Sequence, residues 1–180
     1  MGPLLAELNR ALGQGQFELV RDRALAEIKR SGSHPRLEQF LGLALRGLLD
    51  SADAHAAFSR AAVAAPQDAL IAHSLARTAL EAGFVSSELF RSADRLAPND
   101  AGVLLGRAAA LHAEGRGDIA LGELDALLSR NPEWTDGHQA HAQLQATLHP
   151  DAPRDLSLAA ALQRHPASVP LHRMAIAVPM

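Results

Sequence analysis

The chain reads as an all-α protein, a right-handed α-solenoid of antiparallel helix hairpins. Three observations predict this. An apolar stretch closed by proline recurs about every 34 positions: Pro66, Pro98, Pro132 and Pro166 are separated by 32, 34 and 34 residues. Each of these prolines is followed two or three residues later by a residue suited to a helix start: Asp68, Asp100, Thr135 and Ser168. The 180 residues are 48% hydrophobic but only 3% aromatic, with no Tyr and one Trp. Ala and Leu must therefore build the core, which favours helices packed closely through small side chains. A fixed period of this length marks stacked supersecondary units. Function is then expected on an extended surface and not in a buried catalytic pocket.

Residues 35–68 show the unit best. Leu41, Gly42 and Leu45 share one helical face, and Ala54, Phe58 and Ala61 share another. Gly47 and Leu48-Leu49-Asp50-Ser51 make the turn between them, with Asp50 or Ser51 as the cap of the second helix. Small residues at Gly42, Ala54 and Ala61 allow close approach, and Phe58 fills the gap they leave. This pattern resembles the tetratricopeptide repeat (TPR), a family defined by small and apolar residues at fixed places in two helices and by a closing proline.

The resemblance divides the chain into units of about 1–34, 35–68, 69–100, 101–134 and 135–168, one solenoid over 1–180. In the first, Gly15-Gln16-Phe17-Glu18 stands as the inter-helix turn, and no proline closes the unit. Residues 69–100 match at Leu75, Ala76, Ala79, Phe90, Ala93 and Pro98, with Ser86 where Ala is usual. That unit is two residues short, and the loss is expected in the turn around Gly83. Residues 101–134 match at Ala108, Leu111, Gly115, Ala120, Leu124 and Pro132, with Leu127 in place of Ala and Arg107 in place of Leu. Residues 135–168 keep Ala142, Leu158, Ala161 and Pro166, with a turn His149-Pro150-Asp151-Ala152-Pro153 and Arg154 in place of Ala. Residues 169–180 read as a partial helix that stops at Pro179-Met180 without a polar cap. Solenoid ends need a polar outer face. The chain is therefore expected to be cut from a longer protein or to bury this end against a partner, self-association through the apolar C-terminal end included.

Composition narrows the function. The net charge of −3 supplies no basic excess for phosphates, so no nucleic-acid partner is expected. With no cysteine there is no disulfide or thiolate metal site. Met1–Glu7 lacks the basic region and apolar run of a signal peptide, and Ala6 stands where myristoylation needs Ser or Thr. No apolar stretch approaches the roughly 20 residues that span a bilayer. A cytoplasmic, bacterial protein with no membrane partner is expected.

Candidate chemistry is sparse. His149-Pro150-Asp151 offers two ligands of a facial iron triad, but the third would be the distant His165 or His172. The tripeptide also resembles the signature of J-domain co-chaperones, which needs a preceding basic helix, and Gly137–Leu148 carries no Lys or Arg. A proline turn with Asp151 capping the next helix is the reading kept. His138 and His141 lie one helical turn apart near Asp136, a spacing that can share a metal. His141 falls at a helix position usually occupied by Leu, so a packed, hydrogen-bonded imidazole is expected there instead. Gly83 and Gly115 read as helix C-caps, and Trp134 as a hydrophobic staple before Thr135. No catalytic residue, metal or cofactor is expected.

The family resemblance implies a groove lined by the first helix of each unit. Carried over, its positions are Arg36, Gln39, Leu43 and Arg46; His73, Arg77 and Glu81; Leu105 and His112; and Asp136, Gln139 and Gln143. Arg36, Arg46 and Arg77 make the centre basic, and arginine holds carboxylates two-pronged. The expected function is a protein–protein interaction module taking an acidic peptide. Some family members clamp chaperone tails through Lys, Asn and Arg; the one Lys here, Lys29, ends a second helix, so that ligand is not expected. Asn131–His138 also resembles repeat junctions that precede an iron/2-oxoglutarate oxygenase or a sulfotransferase domain. That implies an alternative, the repeat region of a larger enzyme with its catalytic domain beyond residue 180.

Overall fold

The computed structural model describes residues 2–150, 159, 162–163, 166–169 and 171–173. Among these are nine α-helices and no strand: α1 (Gly2–Gly13), α2 (Phe17–Ser31), α3 (Pro35–Gly47), α4 (Ser51–Ala64), α5 (Ala69–Glu81), α6 (Ser87–Leu96), α7 (Ala101–Ala113), α8 (Gly117–Arg130) and α9 (Thr135–Leu148). The chain forms two compact units, Met1–Gly106 and Arg107–Met180.

In the first unit, successive helices pack on each other from α1 through α6, and α1 also reaches α3. The contact that fixes α3 on α4 is a ring in a notch. Phe58 is fully buried, and a Cβ on Gly42 would stand 2.6 Å from its ring. Ala54, Ala57 and Ala61 are fully buried around it on α4. Gly106 makes the same kind of notch for the buried Phe90. One buried charge crosses this unit. Glu38, 1% exposed, accepts from Ser33 Oγ at 2.9 Å and from Arg60 Nη2 at 2.9 Å.

Helix starts follow the side chains that satisfy free N–H groups. Asp50 accepts from the Asp53 amide, Asp68 from those of Leu70 and Ile71, and Asp100 from that of Val103. Of the two caps open for α4, Asp50 is the one used. Before α3 it is His34 that caps, its Nδ1 accepting from the Arg36 amide.

The short turns repeat one backbone device. Gly15, Gly83 and Gly115 have φ of +71°, +75° and +74°, the left-handed conformation that closes a helix without a Cβ penalty. At the matching place between α3 and α4 stands Leu49, φ +65° and 89% exposed. An exposed leucine gains no burial there to offset the strain. Leu49→Gly is expected to stabilise the first unit by about 1 kcal/mol, read as a higher urea midpoint; an unchanged midpoint would count against the strain.

The short unit departs from expectation. The turn around Gly83 is longer than its counterparts, covering 82–86 where 48–50 serves between α3 and α4. The loss falls on α6, which has 10 residues against 14 in α4. Ser86, buried, is the N-cap of α6 and not a residue inside it. The first turn of helix is replaced by Phe84-Val85, both exposed, with the Phe84 ring edge-on to His55 at 5.2 Å.

In the second unit, Ala108, Leu111, Ala120, Leu124 and Leu144 form the core, with Leu121, Trp134, Ala140 and Leu148 against it. Arg107, where Leu is usual, is accommodated because its Nη2 donates to Glu123 at 2.6 Å. Trp134 is itself the N-cap residue of α9 and makes no side-chain cap bond; its ring lies over Gly137 in the first turn. Arg154, Leu158, Ala161 and the Asp151 cap lie outside the described residues, as do 174–180 of the expected partial helix. Of that helix, Val169 and Leu171–Arg173 are helical, and Leu171 is fully buried.

Candidate functional site

An open cavity of about 520 Å³ lies in the first unit, lined by Leu12, Phe17, Leu43, Arg46, Gly47, Leu49, Ser51 and Glu81. The repeat pattern builds it. Leu43, Arg46 and Gly47 end α3, Glu81 ends α5, and Leu12 and Phe17 flank the turn after α1. Gly47 is small for a reason: a Cβ there would stand 2.5 Å from the Phe17 ring, which comes close to the α3 backbone. Arg46 in the last turn of α3 also meets the negative end of that helix. The result is an apolar floor with charge along one side.

That charge is not free. Arg46 donates Nε to Glu81 Oε2 at 2.8 Å and Nη2 to Glu81 Oε1 at 2.8 Å. Arg77 donates Nε to the same Oε1 at 3.2 Å. The two guanidinium groups, Arg46 first, hold the Glu81 carboxyl below the usual carboxylate range. Arg36 is engaged as well, donating Nη1 to Gln39 Oε1 at 2.8 Å with Asp68 3.9 Å away. The three arginines expected to form an open basic centre thus each have an internal partner.

The remaining groove positions divide as follows. Leu43, Arg46 and Glu81 share the cavity, and Arg77 joins them through Glu81. Gln39 is buried beneath Arg36. His73 packs against the Phe90 ring and Gly102, and its burial lowers its pKa, Asp100 opposing. Leu105 is half-buried. His112, Asp136, Gln139 and Gln143 are exposed in the second unit. Leu12, Phe17, Gly47, Leu49 and Ser51 line the cavity although the repeat register does not mark them as site residues. Their signal is the Gly-Gln-Phe turn of the first repeat, which sets an aromatic ring beside the small residue at 47.

Four histidines of the second unit make contacts within the fold. His138 Nε2 is 2.8 Å from the Pro132 carbonyl, and one period later His172 Nε2 is 2.7 Å from the Pro166 carbonyl. In each case the ring ties a helix start to the proline closing the previous repeat. His141 is buried as expected, its Nε2 3.0 Å from Asp125 Oδ1. His149 pairs with Asp118 at 3.1 Å. Burial holds the His141 pKa below the ordinary 6.5, with Asp125 opposing and His138 adding to the shift. The unfolded chain then takes up more protons as pH falls past 6.5. The stability contributed is complete above that value and is lost on descent toward the folded-state pKa. Acidification from about pH 7.5 to about 5.5 is expected to lower the melting temperature, and His141→Leu to flatten the slope; an equally steep slope in the variant would contradict this.

No family model matches the sequence, and no curated protein does. Solved structures do. YrrB, described as a TPR protein with an unusual peptide-binding site, is 16% identical; the match covers 96% of this chain and 90% of that one, with a TM-score of 0.71. The MamA RS-1 ArsTM double mutant is 14% identical over 98% of this chain and 97% of its own, TM-score 0.76. TTC0263, a thermophilic TPR protein of Thermus thermophilus, is 15% identical over 98% and 97%, TM-score 0.61. No helix among the described residues is long and apolar enough to cross a membrane. The chain has the all-α fold of the tetratricopeptide-repeat proteins.

Proposed function

We propose that this chain is a protein-interaction module that holds a segment of a partner protein at the cavity formed by α1, α3 and α5. The observation that carries the reading is the cavity itself: an apolar floor of Leu12, Phe17 and Leu43 beside the half-exposed Arg46 and Arg77. The TPR fold supports it, as does the peptide-binding site described for YrrB. An apolar side chain of the partner enters against Leu43 and Phe17, where burial contributes about 25 cal/mol per Å². Polar groups of the same segment meet the arginines. Because the cavity is walled by helix ends already packed on each other, the partner segment bears most of the ordering cost. Arg36 extends the surface within the first unit, and Asp136, Gln139 and Gln143 offer a polar face in the second.

The reading is tested by selecting peptides from a random twelve-residue display library on the full chain and measuring the winners against Leu43→Asp. Leu43 is half-buried at the cavity wall. Selected peptides are expected to lose about tenfold or more in affinity, about 1.4 kcal/mol, while the variant keeps its helical spectrum. Peptides that bind wild type and variant equally would sink it.

A further inference from the structure

The Glu81 carboxylate sits where a ligand's carboxylate would sit. It lies 35 residues from Arg46 in the chain, on a different helix, and takes the Arg46 fork through Nε and Nη2, both at 2.8 Å. That two-pronged geometry is how arginine receives an external carboxylate. It also takes the Nε of Arg77. None of the three groups is sealed from water: the side chains of Arg46, Glu81 and Arg77 are 35%, 30% and 53% exposed. An ion pair this accessible opens at little cost, so the occupant is displaceable.

We infer that Glu81 is an internal competitor for carboxylates at the cavity. The inference rests on reading that cavity as a peptide site. A partner carboxylate that takes the Arg46 fork leaves Glu81 with Arg77 as its remaining ion-pair partner among the described residues, and the two carboxylates, side by side, repel. An acidic segment therefore exchanges one carboxylate for another and gains little, whereas a segment with an apolar side chain and a neutral polar neighbour meets no such opposition. Glu81 thus sets the specificity of the site: the native chain prefers neutral apolar segments, and removal of this one charge turns the arginines outward to acidic ones.

The test uses sodium glutarate, a small dicarboxylate, titrated into the full chain labelled with ¹⁵N-arginine while the Nε–Hε resonances of Arg46 and Arg77 are followed. In Glu81→Gln these resonances are expected to respond at about tenfold lower glutarate than in wild type, the size of one charge-assisted contact. Glu81→Asp keeps the charge but withdraws the carboxylate by one methylene, and its response is expected to lie between the two. This separates occupancy of the fork from the general field, and it carries the comparison if Glu81→Gln does not fold. Equal response of wild type and variant, or a weaker one in the variant, overturns the proposal. The readout involves no peptide, so it stands or falls apart from the display experiment: a failed selection with a tenfold glutarate shift removes the peptide reading and leaves the competitor intact.

Discussion

Phe58→Ala should remove about 3–5 kcal/mol from the first unit. The ring is fully buried on α4 and fits the notch that Gly42 leaves on α3. Its neighbours Ala54, Ala57 and Ala61 are short and already packed, so nothing can swing into the vacated space. Large-to-small changes cost most where the surroundings cannot collapse. Urea unfolding followed by helical circular dichroism measures the loss. A decrease below about 1 kcal/mol would show that the helices close the gap and that the notch is not the organising contact.

Arg60→Ala should cost about 1–3 kcal/mol, because it strands a charge. The Glu38 side chain is 2% exposed, and Arg60 supplies one of its partners at 2.9 Å. Breaking a wholly buried pair costs more, about 3–5 kcal/mol; the lower figure applies here because the Arg60 side chain is 51% exposed and shares its charge with water. Ser33 Oγ remains to the carboxylate at 2.9 Å but does not neutralise it. The second change Glu38→Leu in the Arg60→Ala background is expected to restore most of the loss, since an apolar side chain leaves nothing unsatisfied. A double variant as unstable as the single one would mean that Arg60 acts through the packing of its stem.

The fold was legible wherever one local signal was repeated. Asp68 and Asp100 mark helix starts by chemistry that acts over three residues, and Gly42 with Phe58 falls into the spacing of two packed helices. The α6 start was not legible. A deficit of two residues can be absorbed in a turn or in a helix, and the repeat register, with Ser86 where Ala is usual, points to the turn around Gly83. In the structure Phe84 and Val85 are exposed and Ser86 stands at the cap. The cavity was half legible. Leu43, Arg46 and Glu81 follow from repeat register, whereas Leu12 and Phe17 come from the repeat that no proline closes. The pairing of Arg46 with Glu81 was hidden for a different reason. The repeat register puts each residue on the groove side of its own helix, and whether two such groups meet depends on the distance between neighbouring helices, which no single-residue pattern encodes.

The notches carry a consequence for sequence drift. Gly42, Gly47 and Gly106 already hold the smallest possible side chain, and each faces an aromatic ring. Every coding change at these sites enlarges the residue, so none can be neutral by shrinking. Mutational load on this chain is therefore lopsided. A few hydrogen-only contacts accept no replacement unless the opposing ring changes first.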